Sequence, residues 1–271
     1  MPPMDIDGIE LRIDGDGAET LVLLHGWPDT LRLWDATVDA LQTRWRCVRF
    51  TLPGFDRSRP GRAYSLDEVV ETLHRVVDAT CPGQRVALLV HDWGCLFGYQ
   101  FALRHPQRVA RIIGVDIGDA GSAAHRAALG PRAKLMVLGY QFWLATAWRI
   151  GGALGDRMAQ RMAAAMRCPA EPRSISAQMG YPYALLWFGI KGGLRGVRPF
   201  EPAVPMLYLY GQRKPFMFHS PAWIDALARR PGSRVVGLRT GHWVMLDQPQ
   251  EFIAAVSDWL DATATTQISG R

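Results

Sequence analysis

The stretch Leu88-Leu89-Val90-His91-Asp92-Trp93-Gly94-Cys95 constrains the fold of this chain more than any other. An apolar, β-prone run ends at an acidic residue, a glycine follows two places on, and helical periodicity begins at Cys95. Passing from strand to helix in so few residues demands a sharp turn at the edge of a sheet. The rest of the chain repeats the alternation. Apolar runs predict strands at Ile9–Ile13, Leu21–Leu24, Arg46–Thr51, Arg85–Val90, Arg111–Val115, Met206–Tyr210 and Arg234–Leu238. Helical spacing falls between or after them at Leu33–Leu41, Leu66–Ala79, Cys95–Leu103, Pro221–Ala228 and Glu251–Leu260. Such alternation specifies an α/β fold, a mostly parallel central sheet flanked by helices. Gly94 and Gly98 would let the helix after the turn pack closely on the sheet, and residues 262–271 read as a polar, frayed end.

The alternation breaks between Asp119 and Phe200, where the chain is helical, rich in Ala, Met and aromatics, and without a convincing strand. With 271 residues in all, this organisation predicts one α/β core, residues 1–118 and 200–271, carrying an inserted helical cap at 119–199. Caps of this kind close over ligands bound at the C-terminal edge of a parallel sheet.

Composition narrows the partners. The formal charge is +6, but arginine supplies nearly all of it, without a basic run or an interleaved aromatic platform. That pattern argues for a solvated surface and against nucleic acid. The first residues lack a basic-then-apolar pattern, and the apolar tract from Leu135 to Trp148 is too short and interrupted to span a bilayer. Cys47, Cys81, Cys95 and Cys168 are scattered without ligand spacing, so reduced thiols in a cytoplasmic protein are expected, with no metal or organic cofactor.

Three segments at strand ends carry chemistry. A sharp strand-to-helix turn pushes one side chain out above the sheet, and here that residue is Asp92. A carboxylate so placed can attack carbon bearing a leaving group and form an ester on the protein, although Asp after a strand is also a common helix cap. His25-Gly26-Trp27-Pro28-Asp29 follows an early strand, either as a plain turn or as a loop aiming the Trp27 N–H at an oxyanion, with the Trp93 N–H as its partner. Thr240-Gly241-His242-Trp243 follows the last strand and puts His242 where a base that activates water is needed. His74, His105, His125 and His219 fall in segments read as helical or surface, His91 neighbours the turn, and His25 is expected at the pocket, supporting its loop.

Together with Leu52-Pro53-Gly54-Phe55-Asp56-Arg57-Ser58, these segments resemble the α/β-hydrolase superfamily over nearly the whole chain outside the cap. His-Asp-Trp-Gly at 91–94 is similar to its Asp-nucleophile branch, which holds epoxide hydrolases, haloalkane dehalogenases and haloacetate dehalogenases. The resemblance implies a second acid that orients His242. Many members carry it after the next-to-last strand, but the turn here reads Gly211-Gln212-Arg213-Lys214. Some dehalogenases carry it one strand earlier, where Asp116 lies, with Asp119 as the lesser candidate and Asp247 read as a helix cap. Epoxide hydrolases also supply two cap tyrosines. Tyr140, beside Gln141, resembles one, and Tyr183 the other, with Tyr181 as a near alternative.

The implied function is an epoxide hydrolase acting on an uncharged, largely apolar epoxide, with Trp143 and Trp187 among the pocket residues. A haloalkane dehalogenase is the alternative, although Trp27 stands where an asparagine usually holds the halide. Haloacetate is disfavoured, because Trp93 and Leu96 replace the arginines that hold its carboxylate. A non-catalytic ligand-binding protein of the same fold is a third reading.

Overall fold

A computed structural model describes residues 4–6 and 8–268. Eight strands form one sheet: β1 (Met4–Ile6), β2 (Ile9–Asp14), β3 (Thr20–Leu24), β4 (Arg46–Phe50), β5 (Val86–His91), β6 (Val109–Val115), β7 (Met206–Gly211) and β8 (Arg234–Leu238). Their order is β1-β2-β4-β3-β5-β6-β7-β8, antiparallel at β1–β2 and β2–β4 and parallel from β4 onward. All seven predicted strands are present; β1 is additional, too short to leave a sequence pattern.

The parallel strands read as continuous apolar runs because both of their faces are covered. Along β3, Val22 and Leu24 join one core while Leu21 and Leu23 join the other, and β5 divides Leu88 and Val90 from Ala87 and Leu89 in the same way. The first face is covered by α2 (Leu66–Thr80) and α3 (Trp93–Arg104), the second by α1 (Asp35–Leu41) and α10 (Pro249–Ile268). Ser65 and Glu68 start α2 with a reciprocal capping box. At the other end, α10 runs to Ile268, into the stretch expected to fray, whose last residues, 269–271, lie outside the described residues. Arg111 of β6 bonds the Leu260 carbonyl at 2.7 Å and the Thr263 hydroxyl at 2.9 Å, tying that turn to the sheet.

Between β6 and β7 lie α4 (Ala123–Ala128), α5 (Pro131–Ile150), α6 (Gly152–Ala165) and α7 (Tyr181–Phe188), with short 3₁₀ turns and no strand among the described residues. After β7 come α8 (Pro221–Ala228) and α9 (Val244–Asp247). The chain moves from β3 outward to β4, and from β5 outward through β6, β7 and β8 on the other side. The loops leaving β3 and β5 therefore diverge. Such a switch in strand order opens a crevice at the carboxyl ends of adjacent strands.

Candidate active site

Asp92 occupies that crevice between β5 and α3 with φ 52° and ψ −125°, a conformation that costs an L residue roughly 1–3 kcal/mol. It does not cap α3 with its side chain. Instead its Oδ1 accepts the Trp27 N–H at 2.7 Å, with the Trp93 N–H close by. Two glycines permit this approach. A Cβ on Gly26 would lie 2.3 Å from Asp92 Oδ1, and one on Gly94 would lie 2.4 Å from the His25 carbonyl.

On the opposite side, His242 Nε2 lies 3.4 Å from Asp92 Oδ2, and its Nδ1 bonds Asp116 Oδ2. Asp116 sits just past β6 with φ 69° and no exposure to solvent. Its Oδ1 accepts the Gly211 N–H at 3.0 Å and pairs with the ammonium of Lys214. Lys214, in the turn where many members of the family carry an acid, points inward as the counter-ion of Asp116. Only the adjacency of β6 and β7 reveals this.

The charges are balanced by contact. Burial alone would lower the imidazolium of His242, but Asp116 and Asp92 outweigh it and hold the ring up at about 9. Burial would raise both carboxyls, yet His242 keeps Asp92, and Lys214 with His242 keeps Asp116, below the usual carboxylate range. Burial pulls the Lys214 ammonium below its ordinary value, with Asp116 opposing.

The His242 loop is held from three directions. His91 Nε2 donates to the His242 carbonyl at 3.1 Å, with the two rings 4.5 Å apart. The Gly241 N–H donates to Asp247 Oδ2 at 2.7 Å. The Trp243 indole donates to Asp29 at 2.9 Å, and burial pushes the Asp29 carboxyl up to about 7. Asp29, read only as part of a turn, thus joins the β3 loop to the His242 loop; its burial was not visible from its neighbours in sequence.

The inserted helices bring two of the three tyrosines to Asp92. The ring of Tyr183 lies edge-on to Trp27, Trp93 and Tyr140 at 6.0, 5.2 and 6.0 Å. Tyr140 takes a hydrogen bond from Gln141 at 3.3 Å. Burial foremost, then the charge of Asp92, raises both phenols, so they stay protonated donors.

Tyr181 is corrected. Two residues along α7 turn it about 200° from Tyr183. It packs between Phe55 and Tyr64 instead, 5.8 and 6.0 Å away, with its buried hydroxyl unpartnered.

Two pocket expectations also change. His25 is wholly buried, Nδ1 donating to the Gly26 carbonyl at 3.0 Å and Nε2 accepting the Leu52 N–H at 2.9 Å. It braces the loop and has no ring nitrogen left for substrate. Trp143 is 39% exposed, and its indole donates to the Met158 carbonyl of α6 at 2.9 Å, so it joins helices. Trp187 is half-buried and packs edge-on to Phe142 at 5.1 Å. Asp119, the lesser candidate acid, is occupied by the Ser220 N–H and the hydroxyls of Ser220 and Ser122 at 2.6, 2.8 and 2.6 Å.

Similarity to known proteins agrees with this architecture. The chain is 34% identical over 112 residues to the probable oxidoreductase EphD of Mycobacterium tuberculosis, covering 39% of this chain and 19% of that one. It is 35% identical over 106 residues to epoxide hydrolase B of the same organism, covering 37% and 29%. The matched stretch thus spans under a third of either relative. A crystal structure of a Bacillus megaterium epoxide hydrolase superposes with a TM-score of 0.69 at 19% identity, over 96% of this chain and 99% of that one. The sequence pattern of the alpha/beta hydrolase fold family matches residues 19–157, and the chain belongs to that family.

Proposed function

We propose that the protein is an epoxide hydrolase that opens an uncharged, largely apolar epoxide to a diol. One observation carries the reading: a half-buried carboxylate accepts the Trp27 N–H, lies beside the Trp93 N–H and faces a carboxylate-paired histidine, with Tyr183 and Tyr140 packed against the same two tryptophans. The kinship to epoxide hydrolase B and the fold shared with the Bacillus enzyme support it.

In this mechanism Asp92 Oδ2 attacks one ring carbon and the C–O bond breaks. Tyr140 or Tyr183 donates a proton to the departing oxygen, leaving a hydroxyl, a tyrosinate and an ester. The ester carbonyl is Oδ1, already against the N–H groups of Trp27 and Trp93. Alkylation removes the negative charge that helped hold His242 protonated, so the imidazolium gives its proton to the tyrosinate and the ring becomes a base. His242 then takes a proton from water as the oxygen attacks Cγ, and the two N–H groups stabilise the oxyanion. Collapse expels the alkoxide, which takes the proton from His242, and the acid proton left on Asp92 passes to His242, restoring the carboxylate and the imidazolium. One epoxide and one water give one diol.

A halide leaving group is a second reading. The observation favouring it is the Trp27 indole N–H, buried and unpartnered, a donor available to a weakly basic anion.

His242→Gln separates these. The variant should form the ester and fail to hydrolyse it. Incubation with a styrene-type epoxide or a bromoalkane, followed by intact-mass and peptide analysis, should show an adduct on Asp92 with the epoxide. An adduct with the bromoalkane alone would select dehalogenation, and none with either would favour a ligand-binding role.

A further inference from the structure

The inserted helices present an outer face that the reaction does not use. On α5, Leu135, Leu138 and Phe142 recur at helical spacing and are 72%, 51% and 50% exposed. Phe142 packs edge-on against Phe188 of α7, itself 39% exposed, at 6.4 Å between ring centres, which makes the patch continuous across two helices. Leu186, 43% exposed, belongs to the same helix. Isolated exposed leucines need no explanation, but a contiguous apolar patch marks a contact surface.

Charge says what the contact is. Residues 119–199 hold eleven Arg and Lys against three Asp and Glu, a formal +8, whereas the rest of the chain holds twenty against twenty-two. Arg132, Lys134 and Arg149 lie on α5 and Lys191 just past α7, all exposed. A second copy docked through this face would bring the same positive charge against itself. An aliphatic patch beside bases fits neither a solvated surface nor a purely electrostatic nucleic-acid contact. It fits an anionic bilayer, which accepts apolar side chains at the acyl boundary and bases among its headgroups.

We propose that the outer face of α5 and α7 docks on the surface of an anionic membrane. The bilayer would then lie about one helix diameter, ~10 Å, from Tyr140 on the inner side of α5. The docking itself requires nothing of the reaction.

The test is pelleting with sucrose-loaded vesicles of phosphatidylcholine alone or with 30% phosphatidylglycerol, the latter also at high salt. The wild-type chain should pellet at least tenfold more with phosphatidylglycerol vesicles and be released by about 0.5 M salt. The double variant Leu135→Ser/Phe142→Ser should lose pelleting while its circular dichroism stays unchanged. Arg132→Gln/Lys134→Gln should weaken it and flatten the salt dependence. Failure of the wild type to pellet, or pelleting that ignores both double variants, overturns the proposal. So does a concentration-dependent dimer in sedimentation equilibrium that Leu135→Ser/Phe142→Ser abolishes, because a second copy would then cover the face.

Discussion

Positive φ is unfavourable for any residue but glycine, and Asp92 and Asp116 both adopt it, at 52° and 69°. The surrounding contacts hold them there, and each contact is a point of failure. Asp116→Asn keeps the shape but removes the charge that stabilises imidazolium. Ester hydrolysis should fall roughly 10³-fold or more while alkylation of Asp92 persists, measured by stopped-flow and mass analysis. Near-normal turnover would take Asp116 out of the mechanism. Lys214→Met tests the buried counter-ion. Besides Lys214, the groups that act on Asp116 or His242 among the described residues include Asp92, His91, Asp29, His219 and Tyr208. Losing the ammonium strengthens the hold of Asp116 on imidazolium, so the His242 value rises. Because His242 must be neutral to take a proton from water, the acid limb of ester hydrolysis should move up by roughly one pH unit. An unmoved limb, with folding intact, would make Lys214 structural only.

At the scale of elements, α7 and α5 decide which side chains meet. Tyr183→Phe should slow epoxide opening by about 10²-fold, whereas Tyr181→Phe should stay within twofold, both read from single-turnover alkylation rates. The reverse pattern would contradict the helix orientation. Elsewhere the elements rest on local chemistry. The Ser65–Glu68 capping box was written in the chain, and Ser65→Ala should lower stability by about 1 kcal/mol in urea unfolding. The parallel strands were legible because burial on both faces leaves unbroken apolar runs. By contrast, β1 has three residues, and the extension of α10 depends on Arg111 of a distant strand, so neither had a local signal.

For the molecule as a whole, the buried charges link stability to pH. The His242 value of about 9 exceeds the unfolded 6.5, so its contribution is complete below pH 6.5 and disappears as pH rises through 9. Asp92 and Asp116 are depressed, so theirs is present above pH 3.8 and lost as acid titrates them through lower folded values. Through His242 stability should decline above pH 6.5 toward pH 9.5, seen as a falling urea midpoint. His242→Gln should flatten that alkaline decline, and an equally steep fall in the variant would assign it to another group.

By itself the sequence determined seven of the eight described strands, the turn at Asp92, and the strand-end positions of His242 and Asp116, because periodicity, glycine placement and strand-end position are local properties. It also restricted the tyrosines to three. Which tyrosine packs against Trp27 and Trp93, that the Trp143 indole joins two helices, and what Lys214 does there were decided only by tertiary structure. Those outcomes depend on the rotation of a helix about its axis and on which strands lie side by side. Neither is written in any short window of the chain.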